Sequence, residues 1–345
     1  MRKNVALIYG GRGLEHEVSV LGANFVLPNI DKEKYNTIPV FIAKDGRWLV
    51  SRKNGEPTRP DRAECREAVA LINQGTVGGI LAYGEFIPID VAFPLLHGDF
   101  GEDGVVQGAL DNAGIPYVGE NVFVSSLCLD KALTHSVAKE LGIRGVEWLA
   151  FSSGADPSLV EPLINREVGY PCFIKPVALG SSVGIGKATD KIDFIKKFKY
   201  ASSFGDGRVI VEKCIDLDSE LEIGVLRQGG KYLFTRVGKI YASSGFYDYD
   251  EKYSDVSRAI VDPDAVVEEK TEKTILGFAR RLADKLEIRS LCRIDFFLGK
   301  DGLVYFNEIN TMPGFTSKSL YPTLMERSGI PIRRLIEILI EGALV

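Results

Sequence analysis

Histidine is scarce in this chain. Three occur among 345 residues, at positions 16, 97 and 135, too far apart in sequence for a local zinc motif. The five cysteines (Cys65, Cys128, Cys172, Cys214, Cys292) contain no C-x-x-C pair, so they read as buried thiols of a reducing compartment rather than a disulfide framework. No apolar run approaches the ~18 residues that a membrane span requires. The start, MRKNVALIYGG, has basic residues and a short apolar run ending in Gly-Gly. That pattern suits a buried first strand better than a signal peptide, and a cytoplasmic protein is expected. Positive charge is not in excess either, with 42 Lys and Arg against 47 Asp and Glu for a net charge of −5. Neither nucleic acid nor an anionic membrane is therefore expected as a partner. The G-x-G-x-x-G fingerprint and the Walker A loop are both missing, as are internal repeats and low-complexity segments.

What is present is the composition of a globular protein, 45% hydrophobic and 26% charged, with a length that implies two or three domains. The most informative stretch is Arg293 to Leu320, RIDFFLGKDGLVYFNEINTMPGFTSKSL. Asp301-Gly302 between two aromatic and β-branched runs predicts a β-hairpin with those two residues as the turn. Such a turn sets Lys300 opposite Leu303, Asp295 opposite Glu308 and Arg293 opposite Asn310. Because side chains alternate with period two, Arg293, Asp295, Glu308 and Asn310 then share one face. Opposed carboxylates repel and call for a cation, and Asp, Glu and Asn oxygens suit Mg²⁺. The hairpin is followed by Asn310-Thr311-Met312-Pro313-Gly314, a turn able to bring backbone close to a ligand.

Elsewhere, Val5–Tyr9 reads as a parallel-type strand leading through Gly10-Gly11-Arg12-Gly13 into a helix whose first turn holds Glu15 and Glu17, also the ordinary dipole placement for acids. Strands are expected at Tyr35–Ile42, where Pro39 implies an edge or end, at Asp90–Leu95 and at Pro116–Val118, with a helix up to Ala113. His97 follows the Asp90–Leu95 strand, where open α/β sheets usually bind ligands. One helix is expected from Ser125 or Ser126 to Leu141, carrying Lys131. The loop Gly180-Ser181-Ser182-Val183-Gly184-Ile185-Gly186 suits phosphate binding or a plain flexible hairpin, and Lys175 just before it favours phosphate. Val209–Cys214 is a strand bearing Glu212 and Lys213, and Glu220 opens the next. Residues 243–255, SSGFYDYDEKYSD, have the composition of a lid, with Lys252 and Tyr253 as its chemically useful members. Helices close the chain at Val266–Leu286 and Ile332–Ile340.

Taken together, the hairpin, HGDFGEDG, IKP with GSSVG, and NEINTMPGFTSKSL closely resemble the D-alanine:D-alanine ligases, ATP-grasp enzymes of peptidoglycan synthesis, over essentially the whole chain. The resemblance implies an N-terminal open parallel α/β domain (1–121) followed by a two-lobed ATP-grasp fold (122–214 and 215–345, the latter with lid 243–255 and metal hairpin 293–310). It implies that Lys131 and Lys175 contact phosphates and that Glu212, Lys213 and Glu220 hold adenine and ribose. Ser182 and Asn307 join this nucleotide set. Ser181 and Lys252 belong to loops closing over the phosphates, and Tyr253 bonds Glu15 and Ser181. Asp295, Glu308 and Asn310 hold two Mg²⁺ ions, for which Mn²⁺ can substitute. Arg293 with the Gly314 N–H forms an oxyanion site, Glu15 orients the first D-alanine, and His97, Ser319 and Leu320 surround the substrates. ATP and D-alanine are the expected small-molecule partners, and a homodimer the expected assembly. A ligase using D-serine or D-lactate second, and a nucleotide-binding regulator without turnover, are the alternatives. Gly13, Ser290, Cys292 and the Glu212 to Glu220 spacing depart from the family pattern without removing a ligand.

Overall fold

The computed structural model describes residues 2–51, 65–82, 84–180, 182–241 and 260–345. Among these, the strands form three sheets. The first comprises β1 (Lys3–Gly10), β2 (Tyr35–Ile42), β3 (Trp48–Ser51), β4 (Cys65–Asn73), β5 (Gly78–Ala82), β6 (Glu85–Pro88) and β7 (Val91–Leu95). Their order is β6-β5-β4-β3-β2-β1-β7. Val5, Leu7 and Tyr9 of β1 face one core while Ala6 and Ile8 face another. Burial on both faces is why β1 reads as a continuous apolar run.

The parallel part expected from the sequence is β2-β1-β7. The sheet also continues through antiparallel pairings from β2 to β6, which the sequence reading did not anticipate. Thus β2 is an interior strand with Pro39 near its middle, contrary to the edge or end inferred from that proline. Proline is tolerated because, among the described residues, β3 pairs with Val40, Phe41 and Ile42 and not with Pro39, so the missing N–H breaks no ladder bond on that side. The expected strand at Pro116–Val118 is reduced to one bridge, Ala92 to Tyr117.

The second sheet contains β8 (Trp148–Phe151), β9 (Cys172–Pro176), β10 (Gly186–Ala188) and β11 (Val209–Lys213), in the order β10-β9-β11-β8. The third contains β12 (Leu217–Gln228), β13 (Lys231–Phe234), β14 (Gly238–Tyr241), β15 (Ile260–Asp262), β16 (Leu291–Gly299) and β17 (Val304–Asn310), in the order β15-β14-β12-β16-β17 with β13 also on β12.

Helices cover the sheets. In the first part of the chain these are α1 (His16–Val26), α2 (Val105–Asn112), α3 (Val122–Leu129) and α4 (Lys131–Glu140). The helix expected from Ser125 or Ser126 to Leu141 is two helices, and the first starts earlier, capped by Asn121. The Asp130 N–H ends α3 by bonding the Leu127 carbonyl, and its side chain caps α4 by accepting from the Leu133 N–H. An aspartate able to satisfy an orphan N–H favours exactly such a restart over a continuous helix. The later helices are α5 (Pro157–Glu167), α6 (Lys191–Ala201), α7 (Glu269–Leu286), α8 (Leu320–Arg327) and α9 (Ile332–Ala343). Helix α7 starts three residues later than the expected Val266, which is exposed.

The cores do not follow the chain in consecutive blocks. Val124 and Cys128 of α3 and Ala138 of α4 pack with Ile223, Ile294 and Phe306 of the third sheet. Tyr321, Met325, Leu335 and Leu339 from α8 and α9 pack under the first sheet. These interleaved cores bring distant parts of the chain against one cleft.

Candidate active site

The hairpin is the foundation of the site. Its turn differs from the expected two-residue form: the Gly299 N–H bonds the Leu303 carbonyl at 3.0 Å, making Lys300-Asp301-Gly302 a three-residue loop. Gly302 has φ of 75°, the left-handed position that favours glycine in such loops. The pairing near the loop is therefore displaced by one residue, with Phe296 opposite Phe306. Asn307 is then the extra residue of a β-bulge, and beyond it Asp295 faces Glu308 and Arg293 faces Asn310. The bulge restores the expected register at the polar residues, which is how bulges re-aim side chains next to functional sites.

The neighbouring strand adds a residue that the sequence reading did not single out. Glu222 of β12 lies opposite Asp295, so Glu222, Asp295 and Glu308 form one cross-strand row of carboxylates. Three like charges in a row are destabilising unless offset. Arg293 donates from Nε and Nη2 to the two Asp295 oxygens at 2.8 and 2.7 Å. Its Nε also lies 2.9 Å from Glu222 Oε2. A single N–H aimed at Asp295 leaves Glu222 in an ion pair rather than an aligned hydrogen bond. Burial opposes the guanidinium charge, but Asp295 and Glu222 outweigh it and hold the Arg293 pKa well above its ordinary value. Asn310 donates to Asp295 Oδ2 at 2.9 Å, and Lys131 Nζ stands 3.8 Å from Glu308.

Around this row is a cavity of about 630 Å³ lined by residues from several elements. Glu222, Arg293, Glu308 and Asn310 form one wall, Glu15 and His97 another, and Gly314, Ser319 and Leu320 a third. Glu15 stands at the N-terminus of α1, with its carboxylate against Gly98 and Gly180. Gly98 has φ of 62°, the left-handed region that favours glycine, and a Cβ there would displace the Glu15 carboxylate. A Cβ on Gly314 would lie 2.9 Å from Ser319 Oγ. Ser319 Oγ in turn accepts the Thr316 N–H at 2.9 Å. Leu320 is buried beside Ile240 and Leu324.

His97 is buried, with Nδ1 3.1 Å from the Met312 carbonyl and 3.7 Å from Glu102. Among the described residues its buried Nε2 has no hydrogen-bond partner, an arrangement that a bound polar group would satisfy. Burial alone would lower its pKa, yet Glu102 and Glu15 raise it. Glu102, within the HGDFGEDG motif, was not singled out from sequence because only its contact with His97 reveals it.

A second polar group lies beyond Lys131. This lysine opens α4 and donates to the Leu179 carbonyl at 2.6 Å, reaching the segment before the Gly180 loop. Lys175 pairs with Glu212 at 2.6 Å, and His135 meets the other Glu212 oxygen at 3.1 Å. His135 itself stacks on Trp148 at 5.7 Å. Burial would raise the Glu212 pKa, but Lys175 and His135 hold it well below the usual 4.5. Its carboxylate is thus engaged by Lys175 and His135, whereas Lys213 is exposed and Glu220 and Ser182 are half-buried. Ser181, Lys252, Tyr253 and the expected lid lie outside the described residues.

Because the Glu212 pKa is depressed in the fold, its stabilising contribution is full above about pH 4.5 and declines as pH falls below that value. Acid binds the unfolded carboxylate first, so the unfolded state gains. Glu212→Gln is expected to lower Tm at pH 7, since breaking a buried pair costs about 3 to 5 kcal/mol, and to flatten the acid-side fall in Tm. Melting curves from pH 3 to 7 check this, and an unchanged acid limb would contradict it.

The donor set fits a hard divalent cation in kind, being two carboxylates and an amide oxygen. Among the described residues no group of three or more His, Cys, Asp or Glu side chains is arranged to hold a metal ion. Such a site matches Mg²⁺ only where phosphate and water complete the coordination.

Comparison with known proteins gives a consistent answer. Residues 4–120 match the family described as D-ala D-ala ligase N-terminus, and residues 137–341 match D-ala D-ala ligase C-terminus. The D-alanine–D-alanine ligase of Geobacillus kaustophilus is 39% identical, with 100% of this chain and 95% of that protein aligned. That of Caldicellulosiruptor bescii is also 39% identical, covering 99% of this chain and 94% of that protein. Among solved structures, the VanG D-Ala:D-Ser ligase from Enterococcus faecalis superposes with a TM-score of 0.89 at 34% identity, covering 100% of both chains. The D-alanine-D-alanine ligase from Coxiella burnetii gives 0.86 at 30% identity, covering 99% of this chain and 94% of that one.

Proposed function

The chain belongs to the D-alanine–D-alanine ligase family, and from that premise we propose that it joins two D-alanine molecules at the cost of ATP, releasing ADP and phosphate, for peptidoglycan precursor synthesis. The observation that carries this reading is the Glu222-Asp295-Glu308 row, offset by Arg293 and facing a cavity shared with Glu15 and His97. The fold is ATP-grasp, as in its structural relatives. The proposed domain division is 1–121, 122–214 and 215–345.

A carboxylate and an amine do not condense in water. One oxygen of the first D-alanine carboxylate attacks the γ-phosphorus, ADP departs, and an acylphosphate results. The amine of the second D-alanine then attacks the acyl carbon and phosphate leaves. Such chemistry depends on placement and charge neutralisation. In this reading Lys131, Lys175 and Ser182 orient phosphates, and Glu212, Lys213, Glu220 and Asn307 form the nucleotide pocket. Glu15 orients the first D-alanine ammonium, His97 lies beside the substrates, and Arg293 with the Gly314 N–H stabilises the tetrahedral oxyanion. Ser319 and Leu320 border the second substrate. Asp295, Glu308 and Asn310 would hold two Mg²⁺ ions, replaceable by Mn²⁺, which neutralise phosphate charge when bound. Ser181, Lys252 and Tyr253 keep the roles implied by the resemblance. A cytoplasmic homodimer is proposed, and no described helix is long and apolar enough to cross a membrane.

The VanG D-Ala:D-Ser ligase neighbour keeps D-serine as a second reading for the attacking substrate. Incubating the protein with ATP, Mg²⁺, D-alanine and equimolar D-serine or D-lactate, then identifying products by mass spectrometry, tests the choice. D-alanyl-D-alanine is expected to dominate. A majority of D-alanyl-D-serine would select the second reading, and absence of any dimer would reject ligation.

A further inference from the structure

Outside the cleft, a compact polar junction joins two segments that lead directly into it. The Ala92 N–H bonds the Pro116 carbonyl and the Val118 N–H bonds the Ala92 carbonyl, at 2.8 and 2.9 Å. Residues 116–118 are thereby fixed to β7, the strand that precedes His97. Two residues after Val118, Glu120 is 1% exposed. Its two oxygens accept the Arg289 and Ser290 N–H groups, each at 2.9 Å. The Gly119 N–H bonds Ser290 Oγ at 3.1 Å, Arg289 Nε bonds the Gly119 carbonyl at 3.0 Å, and the Arg289 guanidinium lies 4.4 Å from the Tyr117 ring centroid. Residues 289 and 290 immediately precede β16, the strand carrying Arg293 and Asp295.

We propose that Glu120 is a positioning residue, the centre of a strut that registers the His97 side of the cleft against the Arg293 side. This inference rests on the ligase reading. Neither Glu120 nor its partners line the cavity described above, so it acts only through the backbone it holds. An alanine here would orphan two buried N–H donors, and a glutamine would leave an NH₂ facing one of them. Burial pushes the Glu120 carboxyl up to about 7, against the opposing N–H groups of Arg289 and Ser290. The carboxylate therefore carries a desolvation cost that glutamine lacks, and the glutamine variant is expected to fold.

The strut connects the first sheet to β16, whereas the proposed nucleotide residues lie on the second sheet (Lys175, Glu212) and on the third sheet together with β16 itself (Glu220, Asn307), so none of these depends on the first sheet for its place. Loosening it should misplace D-alanine relative to the reacting centre while leaving nucleotide contacts intact. Displacements approaching 1 Å can cost up to about 10²-fold in rate. Steady-state kinetics of wild type, Glu120→Gln and Ser290→Ala, normalised to the folded fraction by circular dichroism, provide the test. The expected result for Glu120→Gln is a rise of about tenfold in the KM for D-alanine and a fall of similar size in kcat, with the KM for ATP unchanged. Ser290→Ala, which removes one link, should shift the same two constants less. A merely structural role would lower active enzyme without changing either KM. That outcome, or wild-type constants in folded Glu120→Gln, would overturn the strut. If Glu120→Gln does not fold, Ser290→Ala decides alone: wild-type constants would refute the proposal and an elevated KM for D-alanine would support it. Dipeptide formation by wild type is measured in parallel, and its absence would reject the ligase reading instead.

Discussion

Replacing Arg293 with lysine is expected to lower kcat by about 10²- to 10³-fold, the usual loss on removing an oxyanion donor, while ATP binds nearly normally. Lysine keeps the positive charge beside Asp295 and Glu222 but lacks the planar fork that spans both Asp295 oxygens. It also sits on a more flexible stem, so the charge no longer has a fixed direction. The loss should not be confined to turnover. Arg293 is the cation that lies against both Asp295 and Glu222, and weakening those contacts is expected to cost about 1 to 3 kcal/mol of stability. Stopped-flow nucleotide binding, steady-state kcat and a melting curve separate these effects. An unchanged kcat with weakened ATP binding would make Arg293 a nucleotide residue and remove the oxyanion role.

Glu308→Gln is expected to reduce dipeptide formation by about a thousandfold, corresponding to about 4 kcal/mol of lost transition-state stabilisation, with the fold intact. Glu308 ends the carboxylate row, and its removal reduces the crowding of negative charge. The variant should therefore melt no lower than wild type without added metal, in contrast to Arg293→Lys, because removing a like charge relieves repulsion whereas weakening its counter-ion increases it. Mg²⁺-induced stabilisation in the presence of a nonhydrolysable ATP analogue should shrink in the variant, since binding to the folded state raises Tm. Retained turnover at saturating Mg²⁺, or a destabilised variant, would contradict the metal assignment.

The hairpin shows how a correct pairing can be reached from an incomplete picture. The sequence reading placed a two-residue turn at Asp301-Gly302, but the loop contains Lys300 as well, and Asn307 compensates as a bulge. Local turn chemistry was legible; a one-residue bulge inside an otherwise regular apolar pattern was not. Glu222 was missed because its significance depends on the register between β12 and β16, which joins residues far apart in sequence. His135 had no local motif, and only folding sets it against Glu212 and Trp148. Asp130 was readable as a capping residue but was absorbed into a longer helix, since apolar periodicity runs through α3 and α4 alike. Of the strands from β3 to β6 only β4 is long, the others having four or five residues, and their antiparallel pairing is set by contacts that no periodicity discloses.

The central claim is that the D-alanine carboxylate is activated by direct attack on the γ-phosphorus in the cleft built around Arg293. Incubating the wild-type protein with ATP, Mg²⁺ and D-alanine labelled with ¹⁸O in its carboxylate tests that claim most directly. For each dipeptide formed, one labelled oxygen should appear in the released inorganic phosphate, because the oxygen that attacks phosphorus leaves with it. Dipeptide formed together with unlabelled phosphate would contradict the acylphosphate route.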